Sequence, residues 1–255
     1  MSHHKIELSR VSYTYPDGNK AIDDVSFLIG HGESIGVVGA NGAGKSTLLS
    51  ILTGIVFPQE GDVRIGDIPV TKKTLGEVRR SIGMTFQDPD DQLFMTTVYE
   101  DVAFGPRNLM LDEIEVKKRV DEALIEVGMQ NIASRPAYRL SGGEKRLVSI
   151  ATTTAMKPDI LIMDEPSASL DPKARRRLMQ ILKGFSHTKI ITSHDLDMIL
   201  EICDRTIVLK NGKIAADGRT YEILTNGKLM EDCGLEMPLS VSNCPICSSK
   251  KLPLK

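Results

Sequence analysis

The chain has 255 residues, of which 41% are hydrophobic and 26% charged. That mix supports one large domain, or a domain with an inserted lobe, and excludes a wholly disordered chain. Lys+Arg number 32 against 34 Asp+Glu, a net charge of −2, so no global charge argues for nucleic-acid binding.

The first strands are expected over 5–15 and 24–29, where β-branched residues partly alternate. Residues 34–39, SIGVVG, form a short apolar run typical of a strand buried on both faces. A glycine-rich turn and the helix-like KSTLLSILTG follow. Short strands are expected at 62–66 and 82–86. From about 97 to 156 the pattern is helical. Val116, Val120, Ala123, Leu124 and Val127 fall on one helical face.

After 157, strand and helix alternate again: 159–164, 173–185, 188–192 and 195–202. Leu178, Ile181, Leu182 and Phe185 mark the inward face of the first of these helices. Two strands at 205–210 and 213–217 are joined by Asn211-Gly212, a hairpin turn signal. The order implies a mainly parallel α/β core, antiparallel strands at its start, and an inserted helical lobe. We assign 1–231 to one domain, with the lobe at about 88–156. The remaining 232–255 are expected to pack loosely, since they show no period.

No apolar run reaches the ~20 residues of a transmembrane helix. The N-terminus, MSHHKIELSR, has no apolar stretch of the secretory type, so the expected compartment is the reducing cytoplasm. The 4 Cys suit that compartment and no disulfide scaffold.

Gly39 to Ser46, GANGAGKS, matches G-x-x-x-x-G-K-[ST] between a predicted strand and a predicted helix. Glycines let the backbone curl so that successive N–H groups face phosphate oxygens. The helix N-terminus adds partial positive charge. Lys45 is then expected to reach the β- and γ-phosphates, and Ser46 to ligate Mg²⁺. A glycine-rich turn with a stray Lys is the bland alternative.

A second pair of charges lies in ILIMDEP, residues 160–166. Asp164 and Glu165 end a buried strand, where open α/β sheets bind ligands. Asp164 suits the Mg²⁺ shell through a water. Glu165 suits a general base for an attacking water. A strand-end turn at Asp-Glu-Pro is the alternative. Leu140 to Glu144, LSGGE, has Ser141 and Glu144 spaced as a capping box. Gly142 and Gly143 are poor first-turn residues unless a ligand such as phosphate approaches the backbone.

In these motifs and their order, the sequence resembles the ATP-binding cassette ATPases from residue 5 to about 225. The resemblance implies a P-loop NTPase core and ATP and Mg²⁺ as cofactors. ATP binding falls to Tyr15, Gly39, Asn41, Gly42, Gly44, Lys45, Ser46 and Thr47. Gln87 looks like the Q-loop glutamine, a Mg²⁺ ligand and catalytic residue. His194 looks like the switch histidine and Asp171 like the D-loop aspartate. Ser141, Gly142, Gly143 and Glu144 look like the signature that contacts ATP held by the opposite subunit. Tyr15 looks like the adenine-stacking aromatic; Tyr13 lies on the same strand face, and either could be core. His194 could instead be a capping or core histidine, and Gln87 a solvated loop residue.

The segment FQDPDDQLFMTTVYEDVAFGPRNL is similar to the energy-coupling-factor branch of that family. This narrower resemblance implies an importer ATPase driving uptake of cobalt or nickel, or alternatively of a vitamin. Its partners would be a transmembrane coupling subunit and a substrate-binding membrane subunit, and no nucleic acid. The chain would form a homodimer, or a heterodimer with a related ATPase, peripheral to the cytoplasmic face of the cell membrane. The coupling subunit would dock beside residues 87–110, meeting one or two of Phe86, Leu93, Phe94, Met95, Val98 and Phe104. A soluble cassette ATPase outside transport is the rival reading.

Two features fall outside this pattern. Lys173, Arg175, Arg176 and Arg177 form a basic run, read as the solvated start of a helix at Pro172 rather than a nucleic-acid or membrane contact. Cys244 and Cys247 form C-x-x-C with Cys233 nearby. Fewer than four ligands is a weak case for structural zinc. Cys203 is expected in the core.

Lys45→Ala should weaken ATP binding itself. Unchanged affinity in a nucleotide titration would remove the cradle reading.

Overall fold

The computed structural model describes residues 5–242. In chain order its main elements are β1 (Ile6–Thr14), β2 (Lys20–Ile29), β3 (Ser34–Val38), α1 (Lys45–Leu52), β4 (Glu60–Ile65), β5 (Ile68–Pro69), α2 (Leu75–Ser81) and β6 (Ile82–Thr85). Then come α3 (Val98–Asn108), α4 (Glu113–Val127), α5 (Gly142–Thr154), β7 (Ile160–Asp164), α6 (Pro172–Gly184), β8 (Thr188–Thr192) and α7 (Leu196–Ile202). The chain closes with β9 (Arg205–Lys210), β10 (Lys213–Arg219), α8 (Thr220–Leu224) and α9 (Gly227–Asp232).

The strands form two sheets. The first, β2-β1-β4-β5, is antiparallel. The second runs β10-β9-β3-β8-β7-β6; its pairs are parallel except β9–β10. The architecture is the expected α/β class with an antiparallel N-terminal sheet.

The central strands show why two apolar cores flank the second sheet. Ile160, Ile162, Ile190, Ile207 and Leu209 point into the core shared with the first sheet and α1. Their neighbours Leu161, Met163, Ile191 and Val208 point into the core shared with the helices. Period-2 alternation thus continues inside an all-apolar strand, because both faces are covered.

The helices begin where capping chemistry allows. Thr97 caps α3, Asp112 caps α4, and Asp171 caps α6 with Pro172 at its first position. The Ser141–Glu144 capping box heads α5. Each side-chain oxygen accepts a first-turn N–H that would otherwise be orphaned. Arg175 and Arg177 stay within the chain. Arg175 grips Asp195 at 2.6 and 3.1 Å, and Arg177 donates to the Glu126 carbonyl at 2.9 Å. Cys203 is buried in the helical core, and burial pushes its thiol up to about 12.

Two expectations need correction. β2 starts at Lys20 rather than 24, because its first residues pair with the end of β1 (Thr14↔Lys20). The register shifts between Leu8 and Tyr13, where Arg10 and Asp24 take positive φ. This irregularity accommodates the Asp23-Asp24 pair that obscured the strand.

The segment after 231 does not pack loosely as far as residue 242. Cys233 is buried, and Leu235 and Met237 pack on the helical core. The Leu239 and Ser240 N–H groups donate to the Asp197 carboxylate at 3.1 and 3.0 Å. Burial alone would raise Asp197, but the hydrogen bonds from Ser240 and Leu239 hold it below the usual range. Contacts of this kind have no sequence period, so pattern reading misses them. Cys244 and Cys247 lie outside the described residues. Among the described residues no group of three or more His, Cys, Asp or Glu could hold a metal ion.

Asp197→Ala should release the segment around 238–242 and lower stability by about 1–2 kcal/mol. Limited proteolysis and a denaturant titration would check this; an unchanged cleavage pattern would count against the latch.

Candidate nucleotide site

Four parallel strands end at one edge of the second sheet, and each delivers a side chain or loop there. β3 leads into the Gly39–Ser46 loop, β6 into Gln87, β7 into Asp164 and Glu165, and β8 into His194. A cavity of about 250 Å³ opens at this edge. Tyr15, Asn41, Gly42, Gly44, Lys45, Ser46, Thr47, Gln87, Asp164, Glu165 and His194 all line it. Asn19 and Ala21, from the start of β2 and the turn before it, also line it.

The loop's shape depends on glycine at two places. Gly44 has φ +107 and a Cβ there would meet the Ala21 carbonyl oxygen at 2.5 Å. A Cβ at Gly39 would meet the Leu209 carbonyl oxygen at 2.4 Å. Gly39 therefore serves close packing rather than lining the cavity. Its carbonyl accepts from Lys45 Nζ at 2.7 Å, and the Ala40 carbonyl is 3.3 Å from the same nitrogen. Burial lowers the Lys45 pKa, against the opposing pull of the Glu165 and Asp164 charges.

Tyr15 and Tyr13 divide as neighbours. The Tyr15 hydroxyl pairs with Thr47 Oγ1 at 3.0 Å at the cavity wall. Tyr13 packs against the first-sheet core, its ring perpendicular to that of Tyr15 with centroids 5.0 Å apart.

The acidic pair is held by β8. The parallel register sets Asp164 beside Thr192. Thr192 Oγ1 donates to Asp164 Oδ1 at 2.5 Å and accepts from the Glu165 N–H at 3.1 Å. Glu165 has φ +49, a strained value for a non-glycine residue. Its Oε2 accepts from the His194 N–H at 3.0 Å. Its Oε1 is buried with no hydrogen-bond partner, 3.6 Å from His194 Nε2. A buried carboxylate oxygen left unpaired is costly unless a ligand or water completes it.

The cavity's donor set suits Mg²⁺. A hydroxyl from Ser46, an amide oxygen from Gln87 and a carboxylate from Asp164 line one space, and hard oxygen donors are what that ion takes.

The LSGGE residues are elsewhere. None of Ser141 to Glu144 lines this cavity. Ser141 Oγ and the Glu144 carboxylate satisfy each other's backbone in the capping box. A Cβ built at Gly142 meets nothing within 4 Å, and one at Gly143 meets only the Ser169 carbonyl oxygen, at 3.5 Å. Packing inside the chain therefore gives no reason for the glycine pair. Asp171 is likewise outside the cavity, accepting from Lys173 and Ala174 N–H groups at 2.8 Å.

Sequence reading missed Asn19, Ala21 and Thr192. Thr192 ends a strand and matches no motif, and only the β7–β8 register reveals its role. Asn19 and Ala21 reach the cavity because β2 is longer than its pattern indicates.

Fold and cavity define a P-loop α/β nucleotide hydrolase. The ABC transporter family model matches residues 22–168. A Geobacter sulfurreducens protein named "Putative ABC transporter ATP-binding protein" is 59% identical over 97% of this chain and 99% of its own. The energy-coupling factor transporter ATP-binding protein EcfA of Carboxydothermus hydrogenoformans is 44% identical, covering 92% of this chain and 88% of that one. The structure of cbiO1 from Clostridium perfringens, part of the ABC transporter complex cbiONQ, superposes with a TM-score of 0.78 at 36% identity. That match covers 91% of this chain and 94% of cbiO1. The chain belongs to the ABC transporter family, as an ATP-binding subunit with ATPase chemistry.

Glu165→Gln keeps the size and the Oε2-type contact to His194 N–H but removes the basic oxygen. It should retain ATP binding while turnover falls roughly 10²–10⁴-fold. Near-normal turnover would remove Glu165 as the base.

Proposed function

We propose that this chain powers an energy-coupling-factor importer, acting as a head-to-tail dimer on the cytoplasmic face of the membrane. The observation that carries the dimer is the open glycine pair. Gly142 and Gly143 head α5 with nothing from their own chain crowding Gly142, so the surface is free for phosphate held by a second subunit. Each ATP is then clamped between one subunit's Gly39–Ser46 loop and the other's Ser141–Glu144 segment. Tyr15 stacks on adenine, and loop N–H groups and Lys45 hold the phosphates. The Ser169 carbonyl lies beside Gly143, and Asp171, two residues on, would face the partner there.

Ser46, Gln87 and, through a water, Asp164 would hold Mg²⁺, which neutralises charge on the phosphates. Glu165 accepts a proton from the attacking water at Oε1, the oxygen that lacks a partner. His194 stands beside that oxygen and steadies the γ-phosphate side of the site. Catalysis here is mostly positioning and charge stabilisation, as phosphoryl transfer requires. Closure on ATP and reopening after hydrolysis move the membrane partner, driven by the different ATP affinities of the two states.

The importer branch is supported by the likeness to EcfA and to cbiO1. Cobalt or nickel as cargo rests on the resemblance of the later sequence, and a vitamin is the alternative. No helix among the described residues is long and apolar enough to cross a membrane, which fits a peripheral subunit working on separate membrane chains. Beside Gln87, Leu93 and Val98 are buried, whereas Phe94 and Phe104 are exposed and stack edge to face at 4.9 Å. This pair is the apolar contact we assign to the coupling subunit.

Affinity capture from the source cell's membranes, with mass spectrometry of the partners, tests the reading. A transmembrane coupling protein and a substrate-binding membrane protein are expected. Phe94→Asp should lower their recovery by about 30-fold or more if the aromatic is a contact hot spot. Ribosomes, DNA or a purely soluble set would remove the transport assignment.

A further inference from the structure

The loop between β6 and α3 carries Gln87 to the nucleotide cavity, and its anchors come from α5. Arg146 is buried at 3% exposure. One terminal guanidinium nitrogen donates to the Phe86 carbonyl at 2.6 Å, and the other to the Gln87 carbonyl. Gln92 adds a second pin. Its Nε2 donates to the Ser149 carbonyl at 2.9 Å and to Thr152 Oγ1 at 2.6 Å, while its Oε1 accepts from the Phe86 N–H at 3.1 Å. Lys145 pairs with Asp90 at 2.5 Å.

Packing alone does not explain Arg146. Burial works against its charge, and the charges of Asp88, Asp164 and Glu165 offset this in part. Its Nε has no partner. Among the described residues it forms no ion pair; its hydrogen bonds go to two backbone carbonyls. An apolar side chain of similar volume would fill the space without that desolvation cost. What the apolar chain would lose is a two-pronged grip on consecutive carbonyls, one of them belonging to Gln87.

We propose that Arg146 is a positioning residue of the ATPase reaction. It fixes the backbone of Gln87, and thereby where the Gln87 amide stands in the cavity. It also sits on the helix headed by Ser141, five residues on, or about 7 Å along the axis. The Ser141–Glu144 segment and the Gln87 amide are thus tied to one rigid body. A shift of that segment against a second subunit moves the amide in the chain's own cavity. This rests on the reading of Gln87 as a nucleotide-site residue.

A double-mutant cycle on the full chain tests it. Steady-state ATPase rates and half-saturating Mg²⁺ are measured for the parent, Gln87→Ala, Arg146→Met and the double variant, with a Tm for each. Arg146→Met should lower kcat about 10- to 100-fold, the usual penalty for a misplaced active-site group, and raise half-saturating Mg²⁺. In the Gln87→Ala background the same substitution should lower kcat by less than about 2-fold, since a shared pathway is non-additive. Gln92→Met, measured in both backgrounds, gives the same test where Arg146→Met does not fold.

Equal losses in both backgrounds would overturn the proposal, as would parent-like kinetics for both Arg146→Met and Gln92→Met. A Gln87→Ala variant with unchanged kinetics would instead overturn the reading of Gln87, and the proposal with it.

Discussion

The parallel register of β3, β7 and β8 is the constraint on which the site depends. It sets Asp164 against Thr192 and brings the β3 loop to the same edge. A shift of one residue would reverse every side chain on a strand whose two faces fill different cores. The register is therefore fixed by apolar packing on both faces, and the polar residues beyond the strand ends inherit their positions from it. Glu165 takes strained backbone one residue past β7. The strain is held by the Thr192 carbonyl and hydroxyl, which both accept the Glu165 N–H at 3.1 Å.

Charge in the cavity is arranged in opposition. Lys45 is partly withdrawn from water beside two buried carboxylates, and hydrogen bonds to loop carbonyls hold it. A polyphosphate entering the loop offers Lys45 a stronger partner than those carbonyls. Glu165 keeps one oxygen tied and one bare. One oxygen of the same carboxylate is thus satisfied by backbone, and the other is left buried and unpartnered.

The described residues also bind distant parts of the chain to this edge. The latch at Asp197 ties residues 239 and 240 to the helix that follows His194. The α5 contacts tie the loop of Gln87 to the helix headed by the glycine pair. Both join an element next to a cavity-lining residue to a segment that does not line the cavity. If a second subunit completes the site, as proposed, such ties would let opening and closing be felt by the cavity-lining groups.

Much of this was legible in the sequence. Glycine spacing, strand-end acids and the cap at Ser141 are local patterns, since each reflects what a few consecutive residues must do to turn, cap or hold a charge. The alternation of elements likewise announced a parallel sheet with an inserted helical lobe. Thr192, Asn19, Ala21 and Arg146 were not legible, for they act on residues far from them in sequence, through register and side-chain reach. The fixed tail was hidden for the same reason, as two N–H groups on one carboxylate leave no period. The chemistry this protein can perform is written in short stretches of its chain, because local spacing encodes local geometry. Which groups hold that chemistry in place emerges on folding, because packing joins residues that the chain keeps far apart.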